Sequence, residues 1–129
     1  MADAGCAFPP DRFVWIMGDV CSHGVWGDDG ILAGPERLPI PRALRLRLIR
    51  WQARYDALDG ARFEAWHSDG AAPDDAAWRI FDAEGEAIAR AASEAMPGWR
   101  VIVWREVPPA GEPREVAFEC AEDAPVRSA

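Results

Sequence analysis

The spacing of large apolar residues between positions 41 and 59 constrains the fold more than any other feature of the chain. These residues recur at steps of three and four, which places them on one face of an α-helix: Leu44, Leu48, Trp51, Tyr55 and Leu58. Pro41 suits the first helical position, where a missing N–H has no partner to lose. Gly60 is a residue type at which helices commonly end. The pattern predicts an amphipathic helix over residues 41–59, against which the rest of the chain packs.

A second helix is predicted from about residue 73 to residue 96. Pro73 suits its first position, and Pro97 and Gly98 follow its end. The residues between the two helices, 60–73, are predicted to form a connection, although Phe63 and Trp66 are more apolar than most solvated loops.

Three segments have the composition or alternation of β-strands. Residues 12–19 and 99–105 are rich in β-branched and aromatic types. Around Val116 to Cys120, apolar and polar residues alternate, which predicts a short edge strand. The turn residues Gly27-Asp28-Asp29-Gly30 predict a hairpin or an ordered loop.

This order of elements predicts the α+β class, with a small β-sheet and two antiparallel helices packed on one face. The strands at 12–19 and 99–105 are expected at the centre of the sheet. A chain of 129 residues is expected to form one domain, here residues 12–107. Residues 1–11 are predicted to be a mobile leader. Residues 108–129 are predicted to contain a Pro- and Gly-rich linker, an edge strand and a disordered tail.

The net charge of −8 bears on the kind of partner. An acidic chain repels nucleic acid and anionic membrane at long range, so neither is an expected partner. Three widely spaced cysteines without CxxC spacing indicate reduced thiols rather than a disulfide framework. The first residues lack the pattern of a signal peptide, and no stretch has the length of an apolar membrane span. We therefore expect a cytoplasmic protein.

No arrangement of residues in the sequence indicates catalysis. Cys21-Ser22-His23 brings a thiol near an imidazole, but structural zinc needs about four ligands and a nucleophilic pair needs an orienting third group. Asp19, Asp28 and Asp29 lack the spacing of a calcium loop. The chain has no nucleophile elbow, phosphate loop, zinc-protease motif or dinucleotide fingerprint. The sequence predicts no catalytic residue, no metal and no cofactor.

Three arginines of the first helix are candidates for partner binding. Arg47, Arg50 and Arg54 are three and four residues apart and line one side of the helix. Guanidinium groups in a row favour an anion or an acidic partner. The alternative interpretation is a solvated face whose arginines pair with nearby acids: Asp56, Asp74, Asp75, Asp82, Glu84 or Glu86.

The seven tryptophans supply further candidates. Those at 15, 51, 99 and 104 fall on predicted inward faces. Trp26, Trp66 and Trp78 are harder to bury at their predicted places, and exposed tryptophans are common anchors of protein interfaces. With the turn acids Asp28 and Asp29, they complete the predicted partner-binding set.

Four segments of the chain carry a resemblance to known proteins: Trp26-Gly27-Asp28-Asp29-Gly30, Leu38-Pro39-Ile40-Pro41, the apolar face from Leu44 to Tyr55-Asp56, and Phe81-Asp82-Ala83-Glu84-Gly85. Through them the chain resembles, over about residues 13–105, a type of small, acidic bacterial α+β protein that is mostly uncharacterised. Some proteins of this kind are immunity-like, so the resemblance implies an inhibitory partner of another protein.

The leading hypothesis is a non-enzymatic protein-binding domain that engages a basic protein, since acidic charge speeds association with such a partner. One alternative is a ligand-binding or enzyme domain with Asp19, His23 and Arg50 in a pocket between helices and sheet. The other alternative is a structural homodimer subunit joined through an exposed edge strand.

Overall fold

The computed structural model describes residues 12–18, 25–27, 38–67 and 74–121. The predicted leader at 1–11, the end of the predicted tail at 122–129, and Asp19, His23, Asp28 and Asp29 lie outside these residues. The described chain is an α+β fold, as the sequence predicts, with these elements in order: β1 (Phe13–Ile16), β2 (Val25–Gly27), α1 (Arg42–His67), α2 (Asp75–Ala95), β3 (Arg100–Trp104) and β4 (Glu115–Glu119).

The strands form one mixed sheet in the order β2-β1-β3-β4, with β1 and β3 at its centre as predicted. β1 and β3 are parallel, and the connection that a parallel pair requires contains α1 and α2. β4 pairs antiparallel with β3 from Arg100↔Glu119 to Trp104↔Glu115, so it forms an edge of the described sheet.

One face of the sheet is covered by the helices. Its side chains follow the period of two that strands impose, and four of them are at most 1% exposed: Val14, Ile16, Val101 and Val103. α2 contacts β3 and β4, and α1 packs on α2. The ring of Tyr55 of α1 packs closely on Gly18, two residues after β1. A Cβ at Gly18 would collide with this ring.

The helices are antiparallel and joined by aromatic contacts. The Trp51 ring stacks on Phe81 with centroids 4.4 Å apart, and Tyr55 meets Trp78 edge-on at 6.0 Å. The indole N–H of Trp51 donates to the carbonyl oxygen of Phe81 at 2.9 Å, so this buried donor has a partner. The predicted apolar face of α1 therefore forms the centre of the core.

The predicted end of the first helix at residue 59 is wrong, because α1 continues through Gly60 to His67. Glycine inside a helix costs only about 1 kcal/mol relative to alanine, which packing can offset. Arg62 supplies such packing: its guanidinium carbon lies 4.7 Å from the centre of the Trp78 ring, and it pairs with Asp59 at 2.6 Å. Phe63 and Trp66 thus belong to a helix and not to a connection.

The predicted start of the second helix is also shifted. α2 begins at Asp75, and Asp74 caps it by accepting the backbone N–H of Ala77 at 3.0 Å. Pro73 therefore precedes the helix and does not occupy its first position. An aspartate cap satisfies a backbone donor that would otherwise have no partner, which fixes the start one residue after the cap.

Candidate functional site

The last turns of α1 expose two large aromatic side chains. Phe63 is 50% exposed and Trp66 is 86% exposed, although both stand on a regular helix. They follow the contact between Arg62 and Trp78, where the core between the helices ends. We call the surface formed by Asp59, Arg62, Phe63 and Trp66 the α1 tip.

A cleft of about 530 Å³ lies at the α1 tip. The side chains of Phe63 and Trp66 supply its apolar walls. Arg62 is held in place between the Asp59 carboxylate and the Trp78 ring, and the hydrogen bond with Asp59 raises the pKa of Arg62. The cleft therefore combines an exposed indole with a guanidinium that is already paired.

Acidic residues surround the α1 tip in the sequence. Residues 56–75 contain six acids and one arginine. Asp56 and Glu64 are exposed on α1, and Asp74 and Asp75 are exposed at the start of α2, one turn before Trp78. This excess of acids near the end of α1 favours positively charged groups.

Two other tryptophans are proposed as anchors, Trp78 on α2 and Trp26 on β2. Trp78 is 4% exposed, so the expectation that it is hard to bury is wrong. Tyr55, Phe81 and Arg62 cover its ring, which leaves no indole surface for a partner. Trp26 pairs with Trp15 in the ladder between β2 and β1, which places it opposite a residue of the central strand.

The sequence identified Trp66 but missed Phe63. The spacing of three residues between them is that of one helical face. The sequence does not show this spacing as helical, because Gly60 predicts the end of the helix before Phe63.

The three arginines of α1 do line one surface. With Trp51, Ile80 and Glu84 they form a cleft of about 480 Å³ between the helices. Arg47 binds Glu84 through two hydrogen bonds, Nε to Oε2 at 3.1 Å and Nη2 to Oε1 at 3.2 Å. In the part of the chain that the structure describes, no ion pair to Arg50 or Arg54 is formed. One arginine thus pairs with α2, while the other two face solvent.

This position of Arg50 bears on the predicted ligand pocket. The residues that line its cleft all belong to α1 and α2, and none belongs to a strand. Asp19 and His23, its proposed companions, are outside the described residues. The pocket between helices and sheet stays a prediction.

A polar network near the end of β3 connects α2 to the segment between β3 and β4. Arg105 is 9% exposed and binds Glu86 of α2 at 3.0 Å and Glu112 at 2.9 Å. The Asp82 carboxylate accepts the backbone N–H groups of Glu106 at 2.8 Å and Val107 at 2.9 Å. The segment between β3 and β4 is thus fastened to α2.

Two carboxyl groups of this network titrate unusually. Burial raises the pKa of Asp82, against the two backbone hydrogen bonds that lower it. Burial also raises the pKa of Glu106, whose charged neighbours are Arg62, Asp82, Arg114 and Asp59. Both oxygens of Asp82 already accept backbone N–H groups, one of them from Glu106 itself. We therefore give Asp82 and Glu106 a structural role and not a role in ligand binding.

Comparison with models of known protein families finds no match for this chain, and comparison with curated proteins finds no significant match. The resemblance to immunity-like proteins therefore stays a prediction. Among the described residues, no group of three or more His, Cys, Asp or Glu side chains is placed to hold a metal ion. Neither described helix is long and apolar enough to cross a membrane.

Proposed function

We propose that the protein is a non-enzymatic binding module, acting in the cytoplasm, whose α1 tip docks on a basic segment of another protein. One observation carries this proposal: Trp66 is 86% exposed on a regular helix, beside the half-exposed Phe63. Covering a large exposed aromatic side chain with a partner lowers the free energy, because apolar surface leaves water. Tryptophan is also enriched among the residues that dominate the binding energy of protein interfaces.

The charge around the α1 tip selects the class of partner. Six acids and one arginine between residues 56 and 75 favour a segment rich in lysine or arginine. A cation of such a segment would stack on the Trp66 indole, whose face attracts positive charge. The net charge of −8 would draw a basic partner from a distance, and salt would weaken that attraction.

An inhibitory role is the form of this function that the sequence resemblance implies. Covering the basic surface of a toxin or a nucleic-acid-binding protein would block the contacts on which its activity depends. This part of the proposal rests on charge and on the resemblance.

The test is a pull-down from host lysate with the tagged chain, read by mass spectrometry at low and at high salt. We expect a stoichiometric basic partner that high salt removes. Trp66→Ala should lose this partner, whereas Ile80→Ala should retain it, because Ile80 is 59% exposed but lies on α2 in the cleft beside Arg50 and Arg54. A partner that both variants retain equally would contradict docking at the α1 tip, and an acidic partner would contradict its proposed chemistry.

A further inference from the structure

α1 has an exposed stripe on the side opposite its core face. Ala53 lies at the middle of this stripe. The other residues of the stripe lie four, seven and eleven positions before and after Ala53. Every one of these residues is exposed, and the spacing places them along one line of the helix. We call this surface the outer stripe: Arg42, Leu46, Ile49, Ala53, Ala57, Gly60 and Glu64.

The two halves of the outer stripe are complementary to each other. Ile49 and Ala57 are equally distant from Ala53, as are Leu46 and Gly60. Each of these pairs joins a large aliphatic residue with a small one. The outermost pair, Arg42 and Glu64, joins a cation with an anion. A surface with this arrangement is complementary to a copy of itself turned end to end.

We propose that α1 pairs with α1 of a second copy of this chain, antiparallel and about a two-fold axis at Ala53. Leu46 and Ile49 of each copy then contact Gly60 and Ala57 of the other, as residues of one helix fill the gaps of its neighbour. A two-fold interface uses the same surface on both subunits, so the complementarity within one stripe serves both halves of the contact.

The exposure of the large residues supports this pairing. Leu46 is 38% exposed and Ile49 is 49% exposed, one turn apart on a helix whose opposite face is buried. Pairing removes both side chains from water in each copy, and burial of apolar surface is the main favourable term in association.

Gly60 supports the pairing independently. Glycine disfavours the interior of a helix, yet nothing in the described chain requires it here, since an added Cβ would meet no atom within 4 Å. Close approach of a second helix does explain a residue without a side chain at this position.

The charges of α1 select the antiparallel orientation. Residues 42–54 carry five arginines and no acid, whereas residues 55–67 carry three acids and one arginine. Antiparallel pairing sets the basic half of one helix against the acidic half of the other. Parallel pairing would place like charges together, which disfavours it.

The dimer leaves Trp66 accessible. Trp66 follows Tyr55 by eleven residues, three helical turns, so it lies on the side of α1 that faces the core and not on the outer stripe. Loss of dimerisation and loss of Trp66-dependent binding are therefore separate results.

Sedimentation equilibrium of the full chain over a wide concentration range tests the dimer. We expect a monomer–dimer equilibrium whose dissociation constant rises more than about tenfold in Ile49→Glu, because pairing would bury an unpaired charge twice. Ile80→Glu is the matched control, an exposed isoleucine on α2 that should leave the dimer unchanged. A chain that is monomeric at every concentration overturns the proposal, as does a dimer that both variants weaken equally or not at all.

Three further variants test the arrangement of the contact. Gly60→Leu should fold normally, by circular dichroism, because Gly60 is exposed and a Cβ added there would meet no atom within 4 Å in the monomer. It should fail to dimerise, because the leucine side chain would fill the gap that receives Leu46. Glu64→Arg should weaken the dimer, and Arg42→Glu combined with Glu64→Arg should restore it. Dimerisation of Gly60→Leu at wild-type strength, or no restoration by the second charge change, would rule out the antiparallel register.

Discussion

Trp51 of α1 both stacks on Phe81 of α2 and donates its indole N–H to the backbone oxygen of the same residue. The ring centroids are 4.4 Å apart and the hydrogen bond is 2.9 Å long. Two interactions with one residue fix the position of the indole, which is 2% exposed. Gly85, one turn further along α2, makes room for it, because a Cβ at this position would lie 2.8 Å from Cζ2 of Trp51.

Gly85→Ala should therefore destabilise the protein. The indole cannot move without losing its stacking or its hydrogen bond, and overpacking of a core typically costs about 1–3 kcal/mol. Urea denaturation followed by circular dichroism measures this loss as a lower free energy of unfolding.

Gly60→Ala is the matched control, since it makes the same change inside the other helix. Its Cβ would meet no atom within 4 Å, so alanine should raise the free energy of unfolding by about 0.5–1 kcal/mol. Both variants are measured at concentrations where the chain is monomeric. Effects of the same sign would contradict the close packing of Gly85 on Trp51.

Arg105→Ala should lower the free energy of unfolding by about 2–4 kcal/mol. The substitution leaves Glu86 and Glu112 without their common partner and removes one of the two links between α2 and the segment that joins β3 to β4. The other link, from Asp82 to the backbone of Glu106 and Val107, remains. Arg100→Ala removes the ion pair with Glu119, whose side chains are 52% and 56% exposed, and should cost less than about 1 kcal/mol. Similar losses in the two variants, measured by urea denaturation, would argue against a structural role of the Arg105 network.

The sequence predicts the parts of this fold that depend on local periodicity. The apolar spacing from Leu44 to Leu58 locates the core face of α1, and the composition of residues 99–105 locates β3. The sequence does not predict the end of α1, because the contact that supports its last turns joins Arg62 to Trp78, sixteen residues away. A pattern confined to nearby residues carries no information about such a contact.

For the candidate sites too, the sequence predicts what depends on local spacing and not what depends on contacts between distant residues. Helical spacing placed Arg47, Arg50 and Arg54 on one surface, which the structure shows. The spacing left open which arginine pairs with an acid, since only the packing of the helices brings Glu84 to Arg47. The sequence does not predict the Arg105 network, because its members come from α2, the end of β3 and the segment before β4.

Glu106→Gln should change stability in a pH-dependent way. Burial raises the pKa of Glu106 in the folded state, so the folded chain holds this proton more tightly than the unfolded chain. The contribution of Glu106 to the free energy of unfolding is therefore larger at low pH, and it falls as pH rises through the folded pKa. The difference in free energy of unfolding between Glu106→Gln and wild type should therefore favour the glutamine variant more at about pH 7 than at about pH 4.

Thermal unfolding at the two pH values measures this difference. Glu94→Gln, a change of the same type at an exposed position of α2, supplies the baseline. A gain by Glu106→Gln at low pH instead would mean that Arg62 and Arg114 outweigh burial at this carboxyl group.

Trp66 and Trp78 should respond in opposite ways to the same substitution. Trp78→Ala removes a ring that is 4% exposed and packed against Tyr55, Phe81 and Arg62, so it should lower the free energy of unfolding by about 3–5 kcal/mol. Trp66→Ala removes a ring that is 86% exposed and should change stability by less than about 0.5 kcal/mol. Urea denaturation of both variants tests this contrast. Because Trp66→Ala is expected to fold like wild type, loss of the basic partner in that variant would report on the docking surface itself. A stability loss near that of Trp78→Ala would instead make Trp66 a structural residue and remove the observation on which the proposed function rests.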